Sequence, residues 1–157
     1  MFKKGMAGLI AAVCLAACSA CALPFNLPFG NATDEVSVSF TEEVKSATVE
    51  SKSADMVAIR VLEETNAKLI EIMQELKADE ALTFTQDAQG MITAVNGKEN
   101  AADWSKCWML YTSDAEFSST EWGGYEYNGV TLGSASFGAD TLPVKKGKVY
   151  VWVYTSF

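Results

Sequence analysis

The chain has 157 residues, of which 49% are hydrophobic and 20% charged, and its formal net charge is −8 at pH 7. This length allows one domain with short appendages, and the acidic balance argues against nucleic acid as a partner, because phosphate binding requires clustered Lys and Arg. The sequence contains no histidine, which excludes histidine bases, Ser-His and Cys-His nucleophile pairs and imidazole metal sites.

The N-terminal residues 1–17 have the organisation of a bacterial signal peptide. Lys3 and Lys4 precede an apolar stretch at residues 6–17, which is shorter than the roughly 20 residues that a membrane-crossing helix needs. The sequence LAAC that ends at Cys18 matches a lipobox, so Cys18 is the predicted lipidation site and the anchor is the only predicted contact with the membrane. The alternative is secretion after an A-x-A-like site at residues 20–22. Both interpretations place the protein outside the cytoplasm.

Residues 18–53 are predicted to form a flexible tether, and residues 54–157 the folded domain. The tether contains two of the three prolines and is rich in Ser, Thr and Glu. A short strand is an open alternative within it, because Val36, Val38 and Phe40 alternate.

The folded domain is predicted to begin with a strand and a helix. Residues 56–63, MVAIRVLE, alternate and are rich in β-branched side chains, which favours a strand. Thr65 and Asn66 are predicted to cap the helix that follows. Its core-facing stripe consists of apolar residues at helical spacing: Leu69, Ile70, Met73 and Leu76.

Further strands are predicted along the rest of the chain. Two of them, at residues 81–86 and 91–95, precede a reversal at Asn96-Gly97, and a strand at residues 107–112 follows. A second hairpin is predicted around Asn128-Gly129. The only cysteine beyond residue 21, Cys107, is predicted to be a small buried hydrophobe.

The aromatic residues are concentrated near the C-terminus, since all four tryptophans and all five tyrosines lie between Trp104 and Tyr154. The predicted terminal strand, residues 148–157, alternates valines with aromatic residues, so both of its faces are apolar and a central position in the sheet is expected. The helix is expected on one side of the sheet and an aromatic surface on the other. The order of elements favours an α+β fold, a β-grasp-like mixed sheet with one main helix packed on it.

Several segments between residues 55 and 157 together resemble a known family. They are VAIRVLEETNAKLIEIMQEL, FTQDAQGMITAVNGKE, DWSKCWMLYT and LPVKKGKVYVWVYTSF. In order and spacing they are similar to the C-terminal β domain of transcobalamin and intrinsic factor and to related bacterial surface domains of unknown function. The resemblance implies a β-grasp-like fold and a non-enzymatic role outside the cytoplasm. It makes a corrinoid a possible ligand, although the helical barrel of the animal proteins is absent and no cofactor is otherwise expected.

The predicted function is noncovalent binding of a small molecule or a surface polymer by a monomeric domain. Aromatic planes offer a large contact area at a low cost in side-chain entropy. The candidate ligand-binding residues are Trp108, Trp122, Tyr125 and Tyr127. The opposing interpretation, stronger for Trp108 than for the other three, is that these rings fill the core.

Two other classes of function are compatible with the sequence. One is a structural or interaction module that pairs with another protein through an exposed sheet edge. The other is an enzyme with paired carboxylates in a cleft, although acids in loops are more often a solvated face, and neither catalytic residues nor a metal site is predicted. The available carboxylates are Asp103, Asp114, Glu116, Glu121, Glu126 and Asp140.

Overall fold

The computed structural model describes residues 45–156, apart from the side chain of Trp122. The predicted signal peptide, Cys18 and most of the predicted tether lie outside these residues. The described elements are β1 (Ala47–Lys52), β2 (Met56–Val61), α1 (Leu69–Ala78), β3 (Phe84–Gln86), β4 (Ile92–Val95), β5 (Lys98–Glu99), β6 (Lys106–Thr112), a 3-10 turn (Ala115–Phe117), β7 (Ser118–Tyr127), β8 (Val130–Ala135) and β9 (Val149–Ser156).

Six strands form the main sheet in the order β1-β2-β9-β6-β8-β7, and β3, β4 and β5 form a small second sheet. The α+β class is confirmed, since one α-helix accompanies the sheets among residues 45–156. The prediction of a mixed sheet is wrong for this part of the chain, where every strand pair is antiparallel. A parallel pair needs a crossover that returns the chain to the same end of the sheet. The neighbour of β2 is instead the C-terminal β9, which runs back along it with Val151 opposite Ala58.

The main sheet begins earlier in the chain than the predicted domain boundary at residue 54. Strand β1 lies within the segment predicted to be a tether, and it pairs with β2 from Ala47 opposite Val61 to Lys52 opposite Val57. Because β1 is an edge strand, few of its side chains enter the core; Ala47 is buried and Val49 half-buried. Its polar composition therefore gives only a weak strand signal.

The helix confirms the predicted stripe but begins later than its predicted caps. Leu69, Ile70, Met73 and Leu76 are buried, together with Ile72. The residue before the first turn is Lys68, whose backbone N–H donates to the Glu71 carboxylate at 2.7 Å. The Thr65 hydroxyl accepts from the Ala67 N–H at 3.0 Å, so it stabilises a turn ahead of the helix.

Strand β9 lies between β2 and β6, in the predicted central position. Its rings pack with the helix, however, rather than on the opposite side of the sheet. Tyr150 is fully buried and Trp152 is 5% exposed, and both belong to the core cluster that contains α1. The opposite face carries Val149, Val151 and Val153, which pack beneath the β7–β8 hairpin through Leu132 and Tyr127.

Both predicted Asn-Gly reversals are confirmed. Asn96 and Gly97 have φ of 49° and 78° between β4 and β5, and Asn128 and Gly129 have φ of 50° and 76° between β7 and β8. Positive φ at both central positions is the geometry that lets a two-residue turn follow the twist of the strands.

Cys107 is buried and forms no disulfide, as predicted. Burial raises the pKa of its thiol, which keeps it in the unreactive protonated form. Within residues 45–156, no helix has the length and apolarity required to cross a membrane.

Candidate functional site

The four predicted ligand-binding residues occupy different environments. Trp108, in β6, is 5% exposed and belongs to the core cluster under α1. Its indole N–H donates to the Lys98 carbonyl oxygen at 2.8 Å, and its ring lies 5.5 Å from that of Tyr154. The indole therefore has its polar atom satisfied within the protein and no free ring face for a ligand.

Tyr125 and Tyr127 lie on the hairpin that covers the valine face of the sheet. Tyr127 is buried, at 9% exposure, and its hydroxyl donates to the Glu50 carboxylate at 3.4 Å. Tyr125 is half-buried, and its ring centre lies 5.6 Å from that of Tyr111, with the two rings tilted by 36°. Trp122 belongs to β7, and its side chain is not among the parts of the chain that the structure describes. Among the described rings of this set, Tyr125 alone keeps part of its surface accessible.

The most exposed indole of the described residues is Trp104, which was not among the predicted site residues. It is 51% exposed and borders a groove of about 380 Å³, which we call the Trp104 groove. A volume of this size falls at the small end of the range for ligand sites, about 300–1,000 Å³. Besides the indole, the groove is lined by Thr85, Thr93, Ala94, Glu99, Asn100, Ala101 and Ala102.

The small sheet positions the floor of the groove. Ile92 and Val95 of β4 are buried in the main core, and Phe84 of β3 packs against it. Thr85 of β3 and Thr93 of β4 line the groove at a point where the register of the two strands shifts, between Thr85 and Gln86. The Thr93 hydroxyl donates to the Thr85 carbonyl oxygen at 3.3 Å, which ties β4 to β3 at this point.

Asn100 fixes the loop that carries the indole. Its side-chain oxygen accepts from the backbone N–H of Trp108 at 2.9 Å, and its side-chain NH2 group donates to the Ile92 carbonyl oxygen at 3.3 Å. These bonds attach the start of the loop to β6 and β4 together. The Ala101 N–H then donates to the Lys106 carbonyl oxygen at 2.9 Å and closes the loop at its base.

Trp104 itself has an uncommon backbone conformation. Its φ is 60°, in the left-handed region that non-glycine residues rarely adopt and that is least comfortable for bulky ones. Its N–H donates to the Ala101 carbonyl oxygen at 2.9 Å, so a tight turn holds the residue there. Strained backbone of this kind concentrates at functional sites. Here the turn holds a large apolar ring toward solvent instead of the core.

The groove is acidic. Glu99 is exposed, and within residues 45–156 its carboxylate forms no ion pair. Beside the indole, Asp103 accepts hydrogen bonds from the Ser105 hydroxyl at 2.7 Å and from the Ser105 N–H at 3.1 Å. The Ser105 hydrogen bonds hold the pKa of the Asp103 carboxyl below its usual range. The groove therefore has one carboxylate in its lining, Glu99, and a second, Asp103, on the loop that carries the indole.

The other carboxylates considered for catalysis do not form a metal-binding cluster with Glu99 and Asp103. Among the described residues, no three acidic or cysteine side chains lie close enough together to hold a metal ion. Asp114, the most buried of them, pairs with Lys145 at 3.2 Å and accepts from the Glu116 N–H at 3.2 Å. These contacts connect the 3-10 turn to the segment before β9.

A local signal for Trp104 was present in the sequence. It is the only large apolar side chain between Asn100 and Cys107, and it lies within the polar run Asp103-Trp104-Ser105-Lys106. A lone indole in a loop between two strands is a recognition signal, since loops carry binding residues more often than strand interiors do. Its left-handed backbone was not visible from composition.

Comparisons with known proteins leave the site to be interpreted from its geometry. No family model, curated protein or solved structure matches the chain.

Proposed function

We propose that this protein is a lipid-anchored, extracytoplasmic binding domain without enzymatic activity, which takes a small ligand in the Trp104 groove. The observation that carries the proposal is the half-exposed indole held at positive φ over a groove lined by polar side chains. An aromatic plane with a few directed polar groups is the usual composition of a small-molecule site.

The size of the groove favours a ligand of one or two rings over a macrocycle. A corrinoid, which the family resemblance suggests, would lie across the rim with most of its surface in solvent. The resemblance also suggests a β-grasp-like relationship. One helix packed on one face of a sheet supports it, whereas the antiparallel pairing of the described strands departs from a mixed β-grasp sheet.

The binding proposal is tested on the full chain in nonionic detergent. Tryptophan fluorescence is titrated with cobinamide and cobalamin, and saturation-transfer NMR is recorded with choline, glucose and N-acetylglucosamine. We expect at least one of these probes to bind and Trp104→Leu to abolish its signal. If none of these probes and none of the amines and alcohols described below binds, or if binding is unchanged in Trp104→Leu, the groove is not the site.

The anchoring proposal is tested separately by fractionation of cells. Lipidation at Cys18 predicts that Cys18→Ala moves the protein out of the membrane fraction or blocks its processing. A matched control is Cys21→Ala, which should fractionate like the native chain. Unchanged fractionation of Cys18→Ala would show that this cysteine carries no anchor.

A second candidate function is pairing with another protein through β7. This strand spans Ser118–Tyr127 and ends the main sheet, so one of its edges has no partner strand within the described residues. Unpaired strand edges are templates for strand addition. Light scattering during size-exclusion chromatography of the unlipidated Cys18→Ala chain distinguishes the two functions, because a ligand-binding monomer keeps its mass as its concentration rises.

A further inference from the structure

The surface of this domain repeatedly places an ammonium group between an aromatic ring and oxygen atoms. The Lys98 ammonium lies 4.1 Å from the centre of the Tyr154 ring and also pairs with the Asp55 carboxylate. Tyr154 is only half-buried. The Lys98 ammonium is thus attracted both by the face of the ring and by the carboxylate.

The same arrangement occurs at a second position. The Lys145 ammonium lies 4.8 Å from the centre of the Phe117 ring and pairs with the carboxylates of Glu116 and Asp114. Hydrogen bonding to Glu116 is the largest of the effects that raise the pKa of Lys145, which keeps this ammonium charged.

A third ring is covered in a similar way. The Lys77 ammonium lies 5.0 Å from the centre of the Phe84 ring and donates to the Phe84 carbonyl oxygen at 3.2 Å. In all three cases the cation is a lysine of the same chain, and an oxygen atom supplements the ring.

The Trp104 groove contains the ring and the carboxylate but not the cation. No lysine or arginine of residues 45–156 lies over the Trp104 ring, although indole attracts cations more strongly than the rings of Phe and Tyr. Glu99 has no ion-pair partner there. The adjacent residue, Lys98, cannot supply the charge, because its ammonium is held by Tyr154 and Asp55.

We infer that the ligand of the Trp104 groove supplies the missing cation, as an alkylammonium group that lies over the Trp104 indole with its charge near Glu99. The inference rests on the proposed function and narrows its ligand class to organic amines. The Asp103 carboxylate on the same loop and the net charge of −8 both favour the approach of a cation. Quaternary and primary amines share this chemistry, and the experiment distinguishes them.

The test compares cations with neutral molecules of the same shape on the full chain in nonionic detergent. Choline is paired with the alcohol in which carbon replaces its nitrogen, and pentylamine is paired with pentanol. Dissociation constants are measured by NMR titration for the native chain and for Trp104→Leu, Glu99→Gln and Glu64→Gln. Glu64 is the matched control, because it is an exposed glutamate of the β2–α1 loop that does not line the groove.

We expect at least one cation to bind about fivefold or more tightly than its neutral counterpart, as ring and carboxylate together predict. Trp104→Leu and Glu99→Gln should each remove this preference, and Glu64→Gln should keep it. Choline alone would indicate a quaternary ligand, pentylamine alone a primary one. Added salt should weaken cation binding and leave alcohol binding unchanged.

Other results would overturn the inference. If the alcohols or the sugars bind in a Trp104-dependent manner while neither cation is preferred, the groove is a binding site for a neutral ligand, and only the inference fails. If nothing binds, the proposed function fails with it. Circular dichroism establishes whether each variant is folded. If Trp104→Leu does not fold, the inference is decided by whether Glu99→Gln removes the preference for the cation.

Discussion

The hydroxyl of Tyr127 lies 3.4 Å from the carboxylate of Glu50, and this contact joins strands from the two ends of the main sheet. Glu50 also pairs with Arg60 on the adjacent β2, and Arg60 donates to the Gly147 carbonyl oxygen at 3.1 Å. The tip of the β7–β8 hairpin is thereby attached to β1 across the valine face. A sheet whose two ends meet in this way has one face covered by its own last hairpin.

Removal of this hydroxyl should destabilise the domain. Tyr127→Phe is expected to lower the free energy of unfolding by about 1 kcal/mol, the usual contribution of one such hydrogen bond. Urea denaturation measures the change. The matched control is Tyr125→Phe on the same strand. Its hydroxyl makes no hydrogen bond within residues 45–156, and its loss should change stability by less than about 0.5 kcal/mol. Equal effects of the two substitutions would show that the contact with Glu50 contributes nothing.

The two tryptophans of the same segment should differ sharply in their effect on stability. Trp108→Ala removes a core side chain that is 5% exposed, and it should cost about 3–5 kcal/mol. Trp104→Ala removes a half-exposed ring, and it should change stability by about 0.5 kcal/mol or less. Thermal or urea unfolding of both variants tests this contrast. A large loss for Trp104→Ala would mean that the ring supports the fold instead of a ligand.

Glycine is required at position 90 for two reasons, the positive φ of its backbone and the close approach of Asp140. The φ of Gly90 is 89°, and a Cβ built there would lie 2.8 Å from Oδ2 of Asp140. Gly97 has φ of 78° with open space around it, so it isolates the backbone effect. We expect Gly97→Ala to cost about 1 kcal/mol and Gly90→Ala about 1 kcal/mol more, because Asp140 must move. Equal losses in urea denaturation would show that Asp140 yields without cost.

The domain should lose stability in alkaline solution. Burial is the largest cause of the raised pKa of Tyr150, and it raises those of Tyr111 and Tyr127 as well. A raised pKa in the folded state contributes stability that is fully present below the ordinary phenol pKa and is lost as the pH rises through the folded value. The free energy of unfolding should therefore fall above about pH 10.

Urea midpoints between about pH 8 and about pH 11 measure this dependence. Tyr150→Phe should flatten the alkaline part of the curve, although it also removes the hydrogen bond that Tyr150 accepts from the Lys145 N–H at 3.0 Å. The slope with pH, and not the absolute stability, is the quantity to compare. A slope identical to that of the native chain would exclude Tyr150 as a source of the effect.

Several elements were predictable because their signals are local. The stripe from Leu69 to Leu76 repeats at helical spacing, and its buried face is the one expected. The Asn-Gly pairs at 96–97 and 128–129 adopt positive φ because only such residues do so easily. Strand β1 was missed because an edge strand buries few side chains and its sequence remains polar. The caps at Thr65 and Asn66 were wrong because Lys68 and Glu71 provide an alternative start to the helix.

The sequence by itself determined the helix α1, the two Asn-Gly reversals and the apolar faces of β9, because backbone preference and side-chain alternation act over a few residues. The tertiary structure alone decided which rings became core and which stayed in solvent. Trp104 and Trp108 are four positions apart, yet one is half-exposed and the other buried. The difference arises from pairing between distant strands, since β6 aligns with β9 and carries Trp108 under the helix, while the bonds of Asn100 fix the loop that holds Trp104 outward.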